Sequence, residues 1–344
     1  MGLRSEHKPV LLLLLGAVLV IVAGLAAAQI ALSLRPASPD PVAPEIIEIP
    51  QGTTAAGVAE ILHSRGLIRN TLLFRLLAEY KGLDGKLRAG EYEISPAMSA
   101  LEILQHLVSG PILTHPFTVR EGLTVEQIAD SLAAQGVVNR ESFLKAARDP
   151  ALAKGLIPAG ANVKEPLEGY LFPETYRVRK GTTEAEIASI MLKRFRQVFS
   201  PEFEARAAEL GMTVHQVVTL ASIIEKEAMV DSERAIISGV FHNRLRIGMK
   251  LDADPTVRYA LGKFNGPVLT ADTKASSPYN TYRNPGLPPG PIAAPGAASI
   301  RAALYPAETK YFYFVAKNDG THQFSVTLRD HINAINRYKP YGQR

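Results

Sequence analysis

Two glutamates close the most informative apolar stretch of the chain. The run from Val217 to Ile224 leads into Glu225-Lys226-Glu227, and residues 213–216 before it have a helix capping-box pattern. At about 100° per residue, Lys226 points nearly opposite the apolar face, with a glutamate on either flank. We expect one carboxylate to be a buried acceptor and the other to face a groove. Periodicity puts Glu225 closer to the core but does not choose the functional carboxylate, and a solvated surface helix end remains the alternative.

Other chemistries have weaker support in the sequence. The chain has no cysteine, which excludes disulfides, thiolate zinc sites and cysteine nucleophiles. None of the eight histidines lies in an HExxH motif, and His322 and His331 would need a third ligand to bind a metal, so a structural role is expected for both. Ser222 lacks the G-x-S-x-G setting of a serine hydrolase, and no Walker or GxGxxG loop is present. The sequence therefore predicts no metal and no cofactor.

The charge distribution does not indicate a nucleic-acid partner. The formal net charge is +5, and it falls to +3 once residues 1–35 are left out. Lysine and arginine are scattered along the chain and do not form a basic stripe. A solvated, mildly basic surface is the simpler interpretation.

The N-terminal region predicts a membrane anchor. The run from Pro9 to Leu34 has no charged residue and is long enough to span a bilayer. Arg4 and Lys8 precede it, so we expect residues 1–9 in the cytoplasm, a transmembrane helix at 10–34 and everything after it outside. The small residues 26–28 leave a cleaved signal peptide as the alternative. Residues 35–45 are rich in proline and predict a semi-rigid spacer that lifts the folded part off the membrane.

The remaining sequence predicts an α+β protein in two parts. Strands at Glu45 to Ile49 and Gly90 to Ile94, with helices at Gly52 to His63 and Ser99 to Val108, indicate a small module over residues 46–115. Such strand–helix modules resemble LysM-type glycan-binding units. A larger mixed α+β domain is predicted over residues 116–344, with long helices between 184 and 247 and a hairpin around Asn318-Asp319-Gly320.

A weak internal repeat has an offset of 70 residues. Its seven matches include Thr54 with Thr124 and Gly66 with Gly136, the signals of a capped helix that ends at a left-handed glycine. Duplication and coincidence are equally good explanations.

Several segments in one order resemble the YceG-like family of membrane-bound endolytic murein transglycosylases. The resemblance covers nearly the whole chain. The matching segments are Glu168-Gly-Tyr-Leu-Phe-Pro-Glu-Thr-Tyr176, Leu220-Ala-Ser-Ile-Ile-Glu-Lys-Glu227, Phe241-His-Asn-Arg-Leu-Arg-Ile-Gly-Met249, Asp254-Pro-Thr-Val257, Tyr279-Asn-Thr-Tyr282, Gly286-Leu-Pro-Pro-Gly290, Ile292-Ala-Ala-Pro-Gly296, Tyr311-Phe-Tyr-Phe-Val315, His322 to Phe324 and Thr327 to His331.

The resemblance implies cleavage between N-acetylmuramic acid and N-acetylglucosamine without water, leaving a 1,6-anhydro end. It also implies that Glu227 is the general acid and base and that Glu225 is a supporting carboxylate. Such a mechanism requires a glutamate whose pKa is raised from about 4.3 by a partly desolvated site. Other carboxylates could still be the acid, although a cap or salt bridge is the expected role of each: Glu168, Glu174 and Glu233.

Five side chains offer hydrogen bonds and flat rings for a glycan groove: Asn243, Arg244, Tyr279, Asn280 and Tyr282. Each has a structural alternative. Asn280 could shape a turn, and the tyrosines could pack on the proline-rich loop from Asn284 to Gly296. Arg244 could pair with Glu225 or Asp254. We expect that loop to fix one wall of the cleft.

Two rival functions follow from the same residues. A two-carboxylate hydrolase would need a second essential acid such as Glu225 and would give reducing ends. A non-catalytic glycan-binding scaffold would tolerate Glu227→Gln but not deletion of residues 46–111. The expected partners are peptidoglycan strands and the cytoplasmic membrane, and the resemblance also suggests wall synthases.

Overall fold

The computed structural model describes residues 7–38, 40 and 43–338, with backbone alone for residues 7–12. Arg4, the side chain of Lys8, the linker residues Pro39 and Pro41 and the last six residues lie outside this description. The chain divides into two compact units, Met1–His115 with Arg177–Gly181, and Pro116–Tyr176 with Thr182–Arg344. Helices accompanied by small two-stranded sheets confirm the predicted α+β class.

The first helix, α1 (His7–Ser33), fits a single-pass membrane anchor. Its segment Leu13–Ser33 has 21 residues and a mean hydropathy of 2.5, and none of its most apolar part is buried within the protein. A bilayer core needs about 20 such residues in a helix. A helix that is apolar on every side and packs on nothing is suited to lipid rather than to water.

A small sheet with helices packed on it forms the rest of the first unit. Strand β1 (Glu45–Ile49) pairs antiparallel with β2 (Gly90–Ile94), so that Ile47 lies opposite Tyr92. Helices α2 (Ala55–Ser64) and α3 (Thr71–Tyr80) connect the strands, and α4 (Ala100–Ser109) follows. The two predicted strands are confirmed. The predicted helices begin slightly later, because Thr54 and Ser99 are their N-caps.

The core of this unit is apolar and continuous. Phe74, Tyr92, Ile103 and Leu62 are fully buried in it. Each such side chain stabilises the fold by roughly 1.5–3 kcal/mol relative to exposure.

The described residues of the proline-rich segment after α1 are bonded to the first unit. Leu34 packs against the core of the first unit, and its carbonyl accepts a hydrogen bond from Ala100 N at 3.1 Å. Ser38 N donates to Pro96 O, and the Arg69 guanidinium donates to Pro36 O and Ala37 O. The described linker residues are therefore part of the folded unit, a result of contacts far apart in sequence.

The repeated segments have the same local structure. Thr54 and Thr124 are the N-caps of α2 and of α5 (Val125–Ala134), and each accepts a hydrogen bond from the third residue of its helix. Gly66 and Gly136 follow these helices with φ of 68° and 70°. Because capped helices of this kind are common, the likeness does not distinguish duplication from coincidence.

The division between the units falls within two paired strands, β3 (His115–Thr118) and β4 (Thr175–Val178). Residues 177–181 make contacts inside the first unit. Arg177 donates to Thr114 O, and Lys180 Nζ lies 2.8 Å from Glu48 and 3.4 Å from Glu91.

The second unit is mainly helical. Besides α5 and β4, its elements include α6 (Arg140–Ala147), α7 (Glu184–Val198), α8 (Pro201–Glu209), α9 (Val214–Glu227), α10 (Arg234–Arg246), α11 (Asp254–Leu261), α12 (Ala297–Leu304), β5 (Tyr313–Ala316), β6 (His322–Ser325) and α13 (Leu328–Tyr338). The long helices predicted between 184 and 247 correspond to α7 through α10. The predicted hairpin is β5–β6, whose turn holds Asn318 at φ 67° and Gly320 at φ 86°.

Helix α9 lies at the centre of this unit. It packs against α8, α10, α11 and α12, and residues 217–224 are all buried. The periodicity had indicated one apolar face, but the structure encloses this part of the helix on all sides. Its polar side chains bond to its own carbonyls, Thr219 to His215 O and Ser222 to Thr219 O, both at 2.7 Å. The acidic end is thus held on a rigid element.

Candidate functional site at the end of helix α9

Glu225 is held in an internal network. Its side chain is 7% exposed and lies 3.3 Å from Arg234 Nη1, while its Oε2 accepts a hydrogen bond from Gly296 N at 3.0 Å. Arg234 also donates to Asp231 and to Ser299 Oγ. This carboxylate therefore joins α9 to α10 and to the start of α12, which suits a buried structural acceptor.

Lys226 is also engaged with the protein. Its Nζ donates to Gly122 O at 3.0 Å, and burial lowers the pKa of this lysine. Gly122, at φ 73°, is tied in turn to the proline-rich loop, because its N–H donates to Ala294 O. Ala294 N donates back to Leu123 O.

The proline-rich loop follows α9 along its length. Pro289 O lies 2.7 Å from His215 Nε2, Ile292 N donates to Ser222 Oγ, and Gly296 N donates to Glu225. The bonded residues follow one another in the same order along the loop and along the helix, so the two segments run in the same direction. The loop is thereby fixed against the helix that ends in the two glutamates.

Glu227 is the last residue of α9 and is half-buried. The guanidinium of Arg244 and the phenol of Tyr282 lie within range of its charge. The helix ends here because Ala228 adopts an extended conformation. The carboxyl group of Glu227 therefore lies at the end of a rigid, buried helix and is surrounded by polar groups.

Arg244, near Glu227, is buried and bonded to backbone carbonyls. Its side chain is 8% exposed, and it donates to Phe312 O at 2.6 Å and to Leu251 O at 2.7 Å. Its guanidinium also lies 5.3 Å from the centre of the Tyr313 ring. Burial lowers the pKa of Arg244, and the nearby negative charges, Asp252 first and Glu227 among them, oppose that shift.

Three more of the predicted binding residues are buried and bonded internally. Asn243 Nδ2 donates to Thr309 O and Tyr311 O, and Asn280 Nδ2 donates to Thr273 O and Ala275 O. The hydroxyl of Tyr279 accepts a hydrogen bond from Lys164 N. Tyr279 is 4% exposed, and its ring packs against the ring of Tyr259. These contacts give Asn243, Tyr279 and Asn280 a role in shaping the loops around the site.

Tyr282 differs from the other four. It is half-buried, and its hydroxyl donates to Asp254 Oδ1 at 2.7 Å. Burial raises the pKa of Tyr282 well above its usual range, and the hydrogen bond to Asp254 raises it further. The charge of Glu227 acts in the same direction. Like Arg244, Tyr282 lies within range of the charge of Glu227, and its hydroxyl in addition bonds to the exposed carboxylate of Asp254.

The segment between α10 and α11 contributes two acids, Asp254 and the unpredicted Asp252, and Arg244 Nη1 lies 3.8 Å from Asp252. Asp252 has a φ of 46°, an uncommon conformation outside glycine, and Asp254 begins α11. The loop is held in place because Ala253 N donates to Thr281 Oγ1 and Arg244 bonds Leu251 O. The available signal was the Asp254-Pro-Thr motif itself, since proline at the second position of a helix marks its start.

Arg234 is the other residue that sequence reasoning missed. It lies nine positions after Glu225, outside the reach of a helical i,i+4 pattern, so only the packing of α10 on α9 brings the two together.

The three alternative acids make structural contacts. Glu174 pairs with Arg194, and Glu233 accepts from His322 N and lies 2.7 Å from its Nδ1. Glu168 is 2% exposed and accepts from Val125 N at 3.1 Å, at the start of α5. Burial raises the pKa of Glu168 to about 8, and the nearby Tyr259 hydroxyl and the Val125 N–H oppose the shift.

The two histidines considered as metal ligands lie in different settings. His322 contacts Glu233, whereas His331 stacks on Tyr313 with ring centres 5.1 Å apart. Among the described residues, no cluster of three histidine or acidic side chains is arranged to hold a metal ion.

A cavity of about 1000 Å³ lies at the opposite end of α9, lined by His215 and Gln216 among others. These residues precede Glu227 by 11 or 12 positions, which is roughly 17 Å along a helix. The cavity is also lined by Asn243 of α10, one of the predicted binding residues, and by Pro288 and Pro289 of the proline-rich loop.

Comparisons with known proteins agree with the motifs. A model of the YceG-like family matches residues 47–337. An endolytic murein transglycosylase of Bacillus subtilis is 36% identical over 317 residues, 89% of this chain and 88% of that protein. One from Streptococcus pneumoniae is 32% identical over 83% of this chain, which spans 56% of that relative.

A solved structure agrees as well. The crystal structure of a YceG-like protein from Listeria monocytogenes is 37% identical and has a TM-score of 0.59, covering 84% of this chain and 98% of the other. The identity over most of both chains and the family match over residues 47–337 show that this chain belongs to the YceG-like family.

Proposed function

We propose that the protein is a lytic transglycosylase that cleaves murein strands internally, with Glu227 as its single acid and base. The observation that carries the proposal is the match over nearly the whole chain to relatives named endolytic murein transglycosylase. The site supports the choice of Glu227, because Glu225 is 7% exposed and engaged with Arg234 and Gly296.

The reaction needs one carboxyl group that works twice. Glu227 first gives its proton to the glycosidic oxygen that leaves C1 of N-acetylmuramic acid. The C6 hydroxyl oxygen of the same sugar then bonds to C1, and its proton passes to the Glu227 carboxylate. No water enters, so the product carries a 1,6-anhydro ring and the glutamate recovers its proton. A hydrolase would use a second carboxylate to activate water or to form a covalent intermediate.

The surroundings of Glu227 suit these steps. Arg244 supplies a fixed positive charge within range of the carboxylate, which favours its ionised form after the first step, whereas partial burial favours the protonated form that begins the reaction. Tyr282, held by Asp254, offers a hydroxyl and a ring face to a sugar. For the other three predicted binding residues, Asn243, Tyr279 and Asn280, we propose the indirect role of holding the loops that carry Tyr282 and Asp254.

The location follows from the same proposal. We propose that α1 crosses the cytoplasmic membrane once with its N-terminus inside, and that the part after residue 35 acts on murein outside the cytoplasm. The first unit would be the LysM-like module over residues 46–115, and the catalytic domain would follow over 116–344. Action beside wall synthases, ending strand elongation, is the further expectation.

Product analysis tests the proposal. The purified protein and Glu227→Gln are incubated with uncross-linked murein strands in water enriched in oxygen-18, and the products are analysed by mass spectrometry. We expect 1,6-anhydro ends without the heavy isotope, and a loss of about 10²–10⁴-fold in rate for the variant, the usual contribution of general acid–base catalysis. Glu204→Gln on the exposed face of α8 is the matched control and should keep full activity.

Three results would contradict the proposal. Labelled reducing ends would indicate a hydrolase, and absence of products from the unaltered protein would favour a glycan-binding scaffold. Full activity of a folded Glu227→Gln variant would move the acid to another residue.

A further inference from the structure

An exposed apolar stripe runs along α3 in the first unit. Leu72, Leu76 and Tyr80 are 54%, 46% and 84% exposed and lie four residues apart, so they form one line on the helix surface. The opposite face buries Phe74 and Ala78 in the core of the unit. Large apolar side chains aligned in this way on a water-exposed helix usually mark a contact surface.

The start of α3 is tied to the end of the membrane-spanning helix. Arg69, two residues before α3, donates to Pro36 O at 2.9 Å and to Ala37 O at 3.2 Å. Those carbonyls lie three and four residues after Ser33, where α1 ends. A chain covers at most about 3.6 Å per residue, so the link from α1 to the Arg69 contact is roughly 11–14 Å.

The folded unit begins immediately after the span. Leu34 is already packed on the core of the unit and bonded to Ala100 N, and Ser38 is bonded to Pro96 O. The unit is therefore held next to the surface of any bilayer that α1 crosses. A contact surface on this unit has lipid headgroups as its nearest partner.

The residues around the stripe fit a lipid surface. Arg69, Arg75 and Lys81 are exposed near it, and Lys81 Nζ lies 5.7 Å from the centre of the Tyr80 ring; Glu79 is the acidic residue on the same side. Tyrosine is enriched at membrane interfaces, and cations beside an apolar face favour anionic headgroups.

We propose that the α3 face formed by Leu72, Leu76 and Tyr80 rests in the headgroup layer of the membrane that α1 spans. The bilayer is the occupant of this face, and the first unit lies on the membrane surface through α3 in addition to its covalent anchor. This contact limits how far the unit can tilt or move away from the membrane.

The absence of native cysteine makes a direct test simple. Full-length Leu76→Cys is labelled with the polarity-sensitive dye NBD and reconstituted in vesicles of phosphatidylethanolamine and phosphatidylglycerol. The matched control is Glu60→Cys, an exposed position on α2 of the same unit. Both variants change exposed side chains, and circular dichroism together with murein cleavage checks that they fold.

We expect the dye at position 76 to emit at shorter wavelength than at position 60. Lipids that carry a spin label close to the headgroup should quench it at least twofold more strongly. Leu72→Ser with Tyr80→Ser in the labelled variant should reduce this quenching toward the control value. Equal emission and quenching at positions 76 and 60 would overturn the proposal and would point to a protein partner absent from the vesicles. A blue shift that grows with protein density but shows no lipid quenching would also overturn it, in favour of contact between copies of the chain.

Discussion

Two layers of the site differ in how their polar groups are used. The inner layer is buried, and its charges and amides are bonded to the protein; it consists of Glu225, Arg234, Asn243, Arg244, Tyr279 and Asn280. The rim is half-buried or exposed, and its members lie near one another around the end of α9; it consists of Glu227, Asp252, Asp254 and Tyr282.

The difference explains why one short motif contains two glutamates with separate roles. Glu225 and Glu227 are two residues apart, yet the first faces α10 and α12 while the second lies within range of Tyr282. The family motif from Leu220 to Glu227 therefore contains one residue of the inner layer, Glu225, and one of the rim, Glu227. Substitutions in the inner layer should change stability first, whereas substitutions in the rim should change activity first.

The largest effect is expected at Arg244. Arg244→Met leaves the carbonyls of Phe312 and Leu251 without a donor in a buried setting, and each such loss costs about 1–3 kcal/mol. We expect the free energy of unfolding to fall by about 3–5 kcal/mol, measured by urea denaturation. Arg329→Met, at an exposed position on α13, should change it by less than about 1 kcal/mol. A folded, fully stable Arg244→Met protein would remove Arg244 from the inner layer.

The two glutamates provide the next test. Glu225→Gln leaves the guanidinium of Arg234 with less negative charge around it, and Arg234 keeps Asp231 and Ser299 as partners. We expect a loss of about 2–3 kcal/mol in the free energy of unfolding and partial activity at low temperature. Glu227→Gln should show the reverse pattern, with unchanged thermal stability and a rate lowered about 10²–10⁴-fold. The same response from both variants would show that the layers are not separate.

The buried carboxyl of Glu168 predicts a pH dependence of stability. Its pKa of about 8 in the folded protein lies above the value of 4.5 in the unfolded chain. The folded state thus keeps a proton that the unfolded state releases, and stability falls as pH rises from 4.5 to 8, by up to about 1.4 kcal/mol per unit. Below pH 4.5 and above pH 8 this contribution is constant.

Glu168→Gln should remove that slope. Thermal unfolding of this variant and of the unaltered protein, followed between pH 4.5 and 9, measures the difference. Glu204→Gln, on the surface, should leave the slope in place. Parallel stability curves for Glu168→Gln and the unaltered protein would mean that Glu168 is ionised in its buried position.

The smallest effect compares two tyrosines. Tyr282→Phe removes the hydroxyl that joins Asp254 near Glu227, and we expect kcat to fall roughly 10-fold, about 1.4 kcal/mol, at constant stability. Tyr279→Phe removes the acceptor of Lys164 N and should lower stability by about 1 kcal/mol with kcat unchanged. Steady-state kinetics on murein strands and denaturation curves distinguish the two. A loss of kcat in Tyr279→Phe alone would reverse the assignment of rim and inner layer.

Local sequence signals predicted most of the secondary structure. Thr54 and Thr213 cap helices as their patterns indicate, and Asn318 with Gly320 forms the hairpin turn. These features depend on bonds within a few residues, so a short stretch of sequence contains them.

The chemistry of the site depended on longer-range contacts. Arg244 bonds Phe312, 68 residues away, and Arg234 reaches Glu225 only because α10 packs on α9. Residue type alone made Arg244 and Asn280 look like sugar ligands, whereas their bonds assign them to the inner layer. The proline-rich segment after α1 is a further example, because its composition did not indicate that it would contact Arg69.

The first unit is built from two separate stretches of chain, because Arg177–Gly181 belongs to it as well as Met1–His115. Lys180 in the short stretch pairs with Glu48 and Glu91 in the long one. A chimera that exchanges the membrane-proximal part between two relatives must therefore transfer both stretches. If the long stretch alone were exchanged, Lys180 would face the side chains of the other relative. A loss of function in such a hybrid would then reflect this mismatch and not a specialised role of the anchor.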